Sequence, residues 1–123
     1  MLIELKGQVR GGKNAILITR SGHRYPNALF AKWSHEAVLQ VNAQLMGGKR
    51  MPPIDSADYL WQFDYVPEDR RLRDVPAILD AVFHVLEKAK VVADDRWVAN
   101  LVFRTHAPSR DGAGMRIEIT PSK

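Results

Sequence analysis

Between Tyr59 and Ala89 the spacing of apolar side chains changes once, from every second residue to roughly every 3.6, and that change restricts the fold more than any other feature. Tyr59, Trp61, Phe63 and Tyr65 alternate with Gln62 and Asp64, which is the pattern of a strand with one face turned inward, and Pro67 closes the run. After Asp74 the residues Val75, Ile78, Leu79, Val82, Leu86 and Ala89 form a helical stripe, with Pro76 in the first turn where a missing N–H is tolerated. Asp80, His84 and Glu87 fall on the opposite face of that helix. Each element has an apolar face that must be covered, so the two call for a layered α/β arrangement.

The flanking segments supply the rest of the layers. Leu2 to Leu5 and Ala15 to Thr19 read as short strands joined through the Gly11-Gly12-Lys13-Asn14 turn and ended by Ser21-Gly22. From Ala28 to Met46 the residues Phe30, Trp33, Ala37, Val41 and Leu45 recur at helical spacing, with Asn27 placed as an N-cap and Gly47-Gly48 as a stop. Trp97 to Thr105 and Met115 to Thr120 read as strands around a loop containing Pro108 and Asp111-Gly112. The expected order is β-β-α-β-α-β-β, a mixed α/β (α+β) sheet with two helices packed on it. With 123 residues, 46% of them hydrophobic and no linker, one domain over residues 1–123 is expected. No apolar run approaches the roughly 18 residues of a membrane span, and the N-terminus has no basic segment before a long apolar one, so a soluble, cytoplasmic protein with no membrane partner is expected. Zero cysteines exclude a disulfide scaffold, a thiolate zinc site and a cysteine nucleophile, and leave oxygen-ligand metal sites open.

Charge is uneven along the chain. Residues 1–50 carry eight basic side chains against Glu4 and Glu36, net +6, whereas residues 51–123 carry ten basic and twelve acidic, net −2. A basic half beside an acid-containing half suits a protein that holds a polyanion and does metal chemistry on it; a mixed, solvated surface has the same composition. Gly7, Gly12 and Lys13 imitate a phosphate-binding loop, but Asn14 replaces its Ser/Thr and a strand-like run follows where a helix is needed. The informative segment runs from Arg70-Arg71-Leu72-Arg73-Asp74 to Asp94-Asp95. If the helix between them folds back beside the strand, these carboxylates can converge on one or two hard divalent ions that activate water and stabilise a leaving phosphate oxygen, with the arginines gripping phosphates. The same residues also read as an N-cap, a turn and a solvated basic run.

This segment resembles the RusA family of Holliday junction resolvases, small cytoplasmic endonucleases of bacteria that are often prophage-borne. R-x-R-D at Arg71 to Asp74, an amphipathic helix with Ala81, Phe83 and Leu86, and the Asp94-Asp95 pair follow the family pattern without a gap. Upstream, Asn14 and Gly22 sit where the family has an Asn and a Gly flanking a basic loop that here includes His23, Arg24 and Tyr25. The resemblance implies a homodimer that binds four-way, branched DNA in recombination and repair and makes paired cuts with magnesium, or manganese in its place. It implies metal-binding and catalytic roles for Asp74 and Asp95, with Asp94 as a further metal ligand, and DNA contacts from Lys13, Asn14, Arg24, Arg70, Arg71 and Arg73.

The family motif is close to R-D-L-D-N-L-x-K-A, and this chain departs from it: the second Asp is Pro76, the Asn is Ala77, the Lys is Asp80, and His84 stands where an Asp is usual. Asp80 lies one helical turn beyond Pro76 and on the same face, so one account has it replace the lost carboxylate as a third catalytic and metal-binding residue beside Asp74 and Asp95. The other account is a fold retained for binding DNA or a partner without cutting. His84 with Asp80 at i, i+4 offers a pair for a softer metal, against the ordinary reading of a solvated histidine. Tyr59, Trp61 and Phe63 offer stacking surfaces for junction bases, against core packing, which their alternation favours.

Overall fold

The computed structural model describes residues 1–11, the backbone of 16–18 and 24–26, 28–46 and 50–122. Its elements are β1 (Leu2–Lys6), β2 (Ile16–Ile18), β3 (Arg24–Pro26), α1 (Ala28–Leu45), β4 (Tyr59–Val66), α2 (Val75–Lys88), β5 (Asn100–Thr105) and β6 (Gly114–Pro121), with one 3-10 turn at Asp95–Trp97 before β5. Four strands form one mixed sheet in the order β1-β6-β4-β5, antiparallel except for the β4-β5 pair, and β2 and β3 form a separate antiparallel ribbon. The fold is therefore α+β with two helices, as expected. β3 adds a strand to the expected order. The Gly11–Asn14 turn beyond Gly11, Ser21-Gly22, the Asn27 cap and the Gly47-Gly48 stop lie outside the described residues.

One face of the sheet carries the core. Ile3 and Leu5 of β1, Trp61, Phe63 and Tyr65 of β4, and Met115, Ile117 and Ile119 of β6 are buried on it. Trp61 and Phe63 stack with centroids 6.4 Å apart, and Phe83 of α2 meets Phe63 edge-on at 5.9 Å. Each such ring contributes about 2–3 kcal/mol by leaving water, so the aromatic alternation of β4 is spent on the core. From α1, Phe30, Trp33, Ala37 and Val41 are buried; from α2, Ile78, Ala81, Val82, Val85 and Leu86. His84 is half-buried, not solvated: its ring packs 5.4 Å from that of Phe30, because α1 lies against the flank of α2 that the helical wheel alone leaves bare.

An edge strand exposes unpaired backbone groups, and on β1 the helix supplies partners for them. Gln44 accepts from the Glu4 N–H at 2.7 Å and donates to the Glu4 carbonyl at 2.6 Å, while Gln40 accepts from the Lys6 N–H at 2.8 Å. Two glutamines one turn apart on α1 thus take the place of a fifth strand. Among the described residues no helix is long and apolar enough to cross a membrane.

Candidate functional site

The parallel β4-α2-β5 unit sets where each carboxylate lies. A helix joining two adjacent parallel strands must run back along the first, so α2 starts near the end of β4 and finishes near the start of β5. From Asp74 to Glu87 the chain advances about 20 Å, at about 1.5 Å per residue. Asp95 is tied to the far end, where its N–H donates to Glu87 Oε1 at 2.8 Å. An ion holds its oxygens at about 2.1 Å, so within one chain Asp74 and Asp95 do not share one. Folding back does not make the two acids converge: it carries the chain to the other end of the helix. Asp80 lies between the two ends, half-buried on α2 one turn before His84. The expected Asp74–Asp80–Asp95 cluster is therefore not assembled within the chain.

At the start of α2 the loop is organised by acids. Asp69 Oδ1 accepts the Arg71 N–H at 3.0 Å and the Arg73 guanidinium at 2.9 Å, and Glu68 lies 3.7 Å from Arg73. The Arg71 N–H, then the Arg73 side chain, hold the Asp69 carboxyl below the usual carboxylate range. Arg73 also donates to the Arg71 carbonyl at 3.2 Å, so it braces the loop, while the side chains of Arg70 and Arg71 make no hydrogen bond among the described residues and Arg71 acts on Asp69 through its charge. Asp74 occupies the N-cap position, but its side chain makes no cap hydrogen bond, which leaves the carboxylate available. It lines a cavity of about 270 Å³ with Arg73, Ala77, Ile78, Leu29 and residues Gln8 to Gly11. Arg10, one of the eight basic residues of the N-terminal segment, thus stands beside Arg73 of the arginine loop. Lys13 and Asn14 lie outside the described residues, as does the side chain of Arg24 on β3.

Gln8 joins these parts. Buried at 7% exposure, it donates from Nε2 to the Tyr65 hydroxyl at 2.6 Å and to the Val9 carbonyl at 2.8 Å, and accepts the Glu68 N–H at 2.8 Å. One side chain therefore connects the segment following β1, the end of β4 and the arginine loop.

At the other end of α2, single carboxylate oxygens of Glu87, Asp94 and Asp95 lie within 4.8 Å of one another. Asp94 Oδ1 accepts the Arg96 N–H at 2.9 Å and Oδ2 accepts from the Arg96 guanidinium at 3.4 Å, which closes the 3-10 turn and explains why the expected strand from Trp97 starts only at Asn100. The Arg96 N–H, then its guanidinium, hold the Asp94 carboxyl below its ordinary value. Glu87 gives one oxygen to the Asp95 N–H and keeps the other, whereas both Asp94 oxygens are engaged by Arg96; the group of three carboxylates could still hold a metal. Glu87 is the member that sequence reasoning left on a solvated face. Its signal was its place in the last turn of α2, seven residues before Asp94. No protein-family model matches the chain, and no curated protein matches it.

Proposed function

We propose that the chain binds branched DNA as a RusA-like homodimeric protein of recombination and repair, gripping phosphates with the basic end of α2. The observation that carries this reading is that Arg10 and Arg73 line one cavity at the start of α2, with Arg73 braced by Asp69 and with Arg70 and Arg71, in the same loop, making no side-chain hydrogen bond among the described residues. A phosphate clamp needs charge on a fixed backbone, and the Gln8 and Asp69 hydrogen bonds supply that rigidity. Binding is favoured over cutting because Asp74 sits at the N-cap of α2, Asp80 lies within it and Asp95 lies in the turn beyond its end.

A second reading, a magnesium-dependent endonuclease, has its own support in the Glu87–Asp94–Asp95 group. Those three residues would hold the ion, which when bound supplies an activated water and charge for a leaving phosphate oxygen. Both readings are tested by one assay: a labelled four-way junction against linear duplex, with and without magnesium or manganese. Salt-sensitive preference for the junction without cuts supports the binding protein. Cuts that need the metal and vanish in Glu87→Gln support the nuclease. Equal, salt-insensitive affinity for junction and duplex removes both.

A further inference from the structure

The face of the sheet turned away from the helices bears a charge pattern that strand register alone creates. Glu4, Arg116, Asp64 and Arg104 are aligned across β1, β6, β4 and β5, giving a row of alternating sign. All four are exposed or half-buried. Beside it runs a second row, Leu2, Glu118, Gln62 and Val102, whose end residues are 45% and 39% exposed. The groove over this face is about 750 Å³. Its lining includes three cations, Lys6, Arg104 and Arg116, against four carboxylates, Glu4, Asp64, Asp111 and Glu118. With the charges nearly cancelled, a polyanion gains nothing from the net field, and recognition must come from the pattern.

A row that reads minus, plus, minus, plus is complementary to its own reverse. A two-fold axis parallel to the strands, between β6 and β4, sets Glu4 against the partner's Arg104 and Arg116 against the partner's Asp64. The same rotation sets Leu2 against the partner's Val102 and Glu118 against the partner's Gln62. Stacked sheets pack about 10 Å apart, a distance that these side chains span from both sides. Among the described residues Glu4, Arg104 and Arg116 have no side-chain hydrogen bond or ion pair, whereas Asp64 holds His106 Nε2 at 2.8 Å through one oxygen. We infer that this open sheet face is an isologous interface for a second copy of the chain, specified by the alternating row. The inference goes beyond the function proposed above, which calls for two copies but not for this surface.

Positions 4 and 104 make the test clean. They lie on opposite edges of one sheet, three strand spacings or about 14 Å apart, so coupling between them arises only between copies. Sedimentation velocity without DNA should show wild-type dimer at about 100 μM. Glu4→Arg and Arg104→Glu should each weaken the dimer about tenfold, since each sets two like-charge contacts across the axis. The double variant should return to near wild-type affinity, and an equimolar mixture of the two single variants should form heterodimers. Circular dichroism of each variant checks that the fold is retained. A monomeric wild type, or a double variant as weak as the sum of its parts, overturns the inference. Junction binding is measured separately, so failure of either proposal is visible without the other.

Discussion

Replacing Gln8 by leucine tests whether one buried amide positions the arginine loop. The substitution keeps much of the volume and removes three hydrogen bonds, those to the Tyr65 hydroxyl, the Val9 carbonyl and the Glu68 N–H. Tyr65 is 2% exposed, so its hydroxyl has little access to water, and the Glu68 N–H is partly buried. A buried polar group left unpaired costs about 1–3 kcal/mol, so two such groups, the second partly hydrated, cost about 3 kcal/mol together. For a chain of 123 residues this lowers the thermal midpoint by about 12 °C. Removing both partners of the strongest contact should be cheaper than the sum: Tyr65→Phe on its own costs about 1 kcal/mol, and in the Gln8→Leu background close to nothing. Calorimetric melting of the four proteins measures the cycle. Junction affinity of Gln8→Leu, measured well below its midpoint, should fall severalfold because Arg70 and Arg71 lose their fixed backbone. A midpoint change under about 3 °C, or full additivity with Tyr65→Phe, would refute the assigned network.

Gly114→Ala should destabilise by more than about 3 kcal/mol in urea titration, because φ is +156° and a Cβ there would lie 2.0 Å from the Leu5 carbonyl oxygen. Asp69 is held below its ordinary value of 3.8, so the stability it contributes is present above that value and lost as pH falls through the lowered one. The difference in urea midpoint between wild type and Asp69→Asn should therefore be flat from about pH 5 to 7 and shrink below about pH 4. Arg70→Ala and Arg71→Ala should each reduce the slope of log affinity against log salt by about 1, whereas Asp80→Asn should leave it unchanged. Magnesium should raise the melting temperature of wild type by mass action and lose that effect in Glu87→Gln, if Glu87, Asp94 and Asp95 act as one site.

Much of the element list was legible because hydrophobic period is a local property. The alternation of Tyr59–Val66 gave β4 to the residue, and the stripes after Ala28 and Asp74 gave both helices. The burial of Trp61 and Phe63 followed from the same alternation. Periodicity also shows where it stops being informative: His84 falls on the polar face of its own helix, and the ring of Phe30 from α1 packs against it there.

What the tertiary structure alone decided is pairing, and through pairing the ends at which side chains meet. That β4 takes β5 as a parallel neighbour is written in neither strand, yet it sends α2 back along the sheet and separates Asp74 from Asp95 by the length of a helix. The same long-range choice gathers Glu87 with Asp94 and Asp95, brings Gln40 and Gln44 to the edge of β1, and aligns Glu4, Arg116, Asp64 and Arg104 in one row. Apart from the Glu87 group, these contacts join residues tens of positions apart, whose meeting depends on the packing of every layer between them. A residue's own neighbours in the chain dictate which face it occupies, and the order of the strands dictates whom it faces.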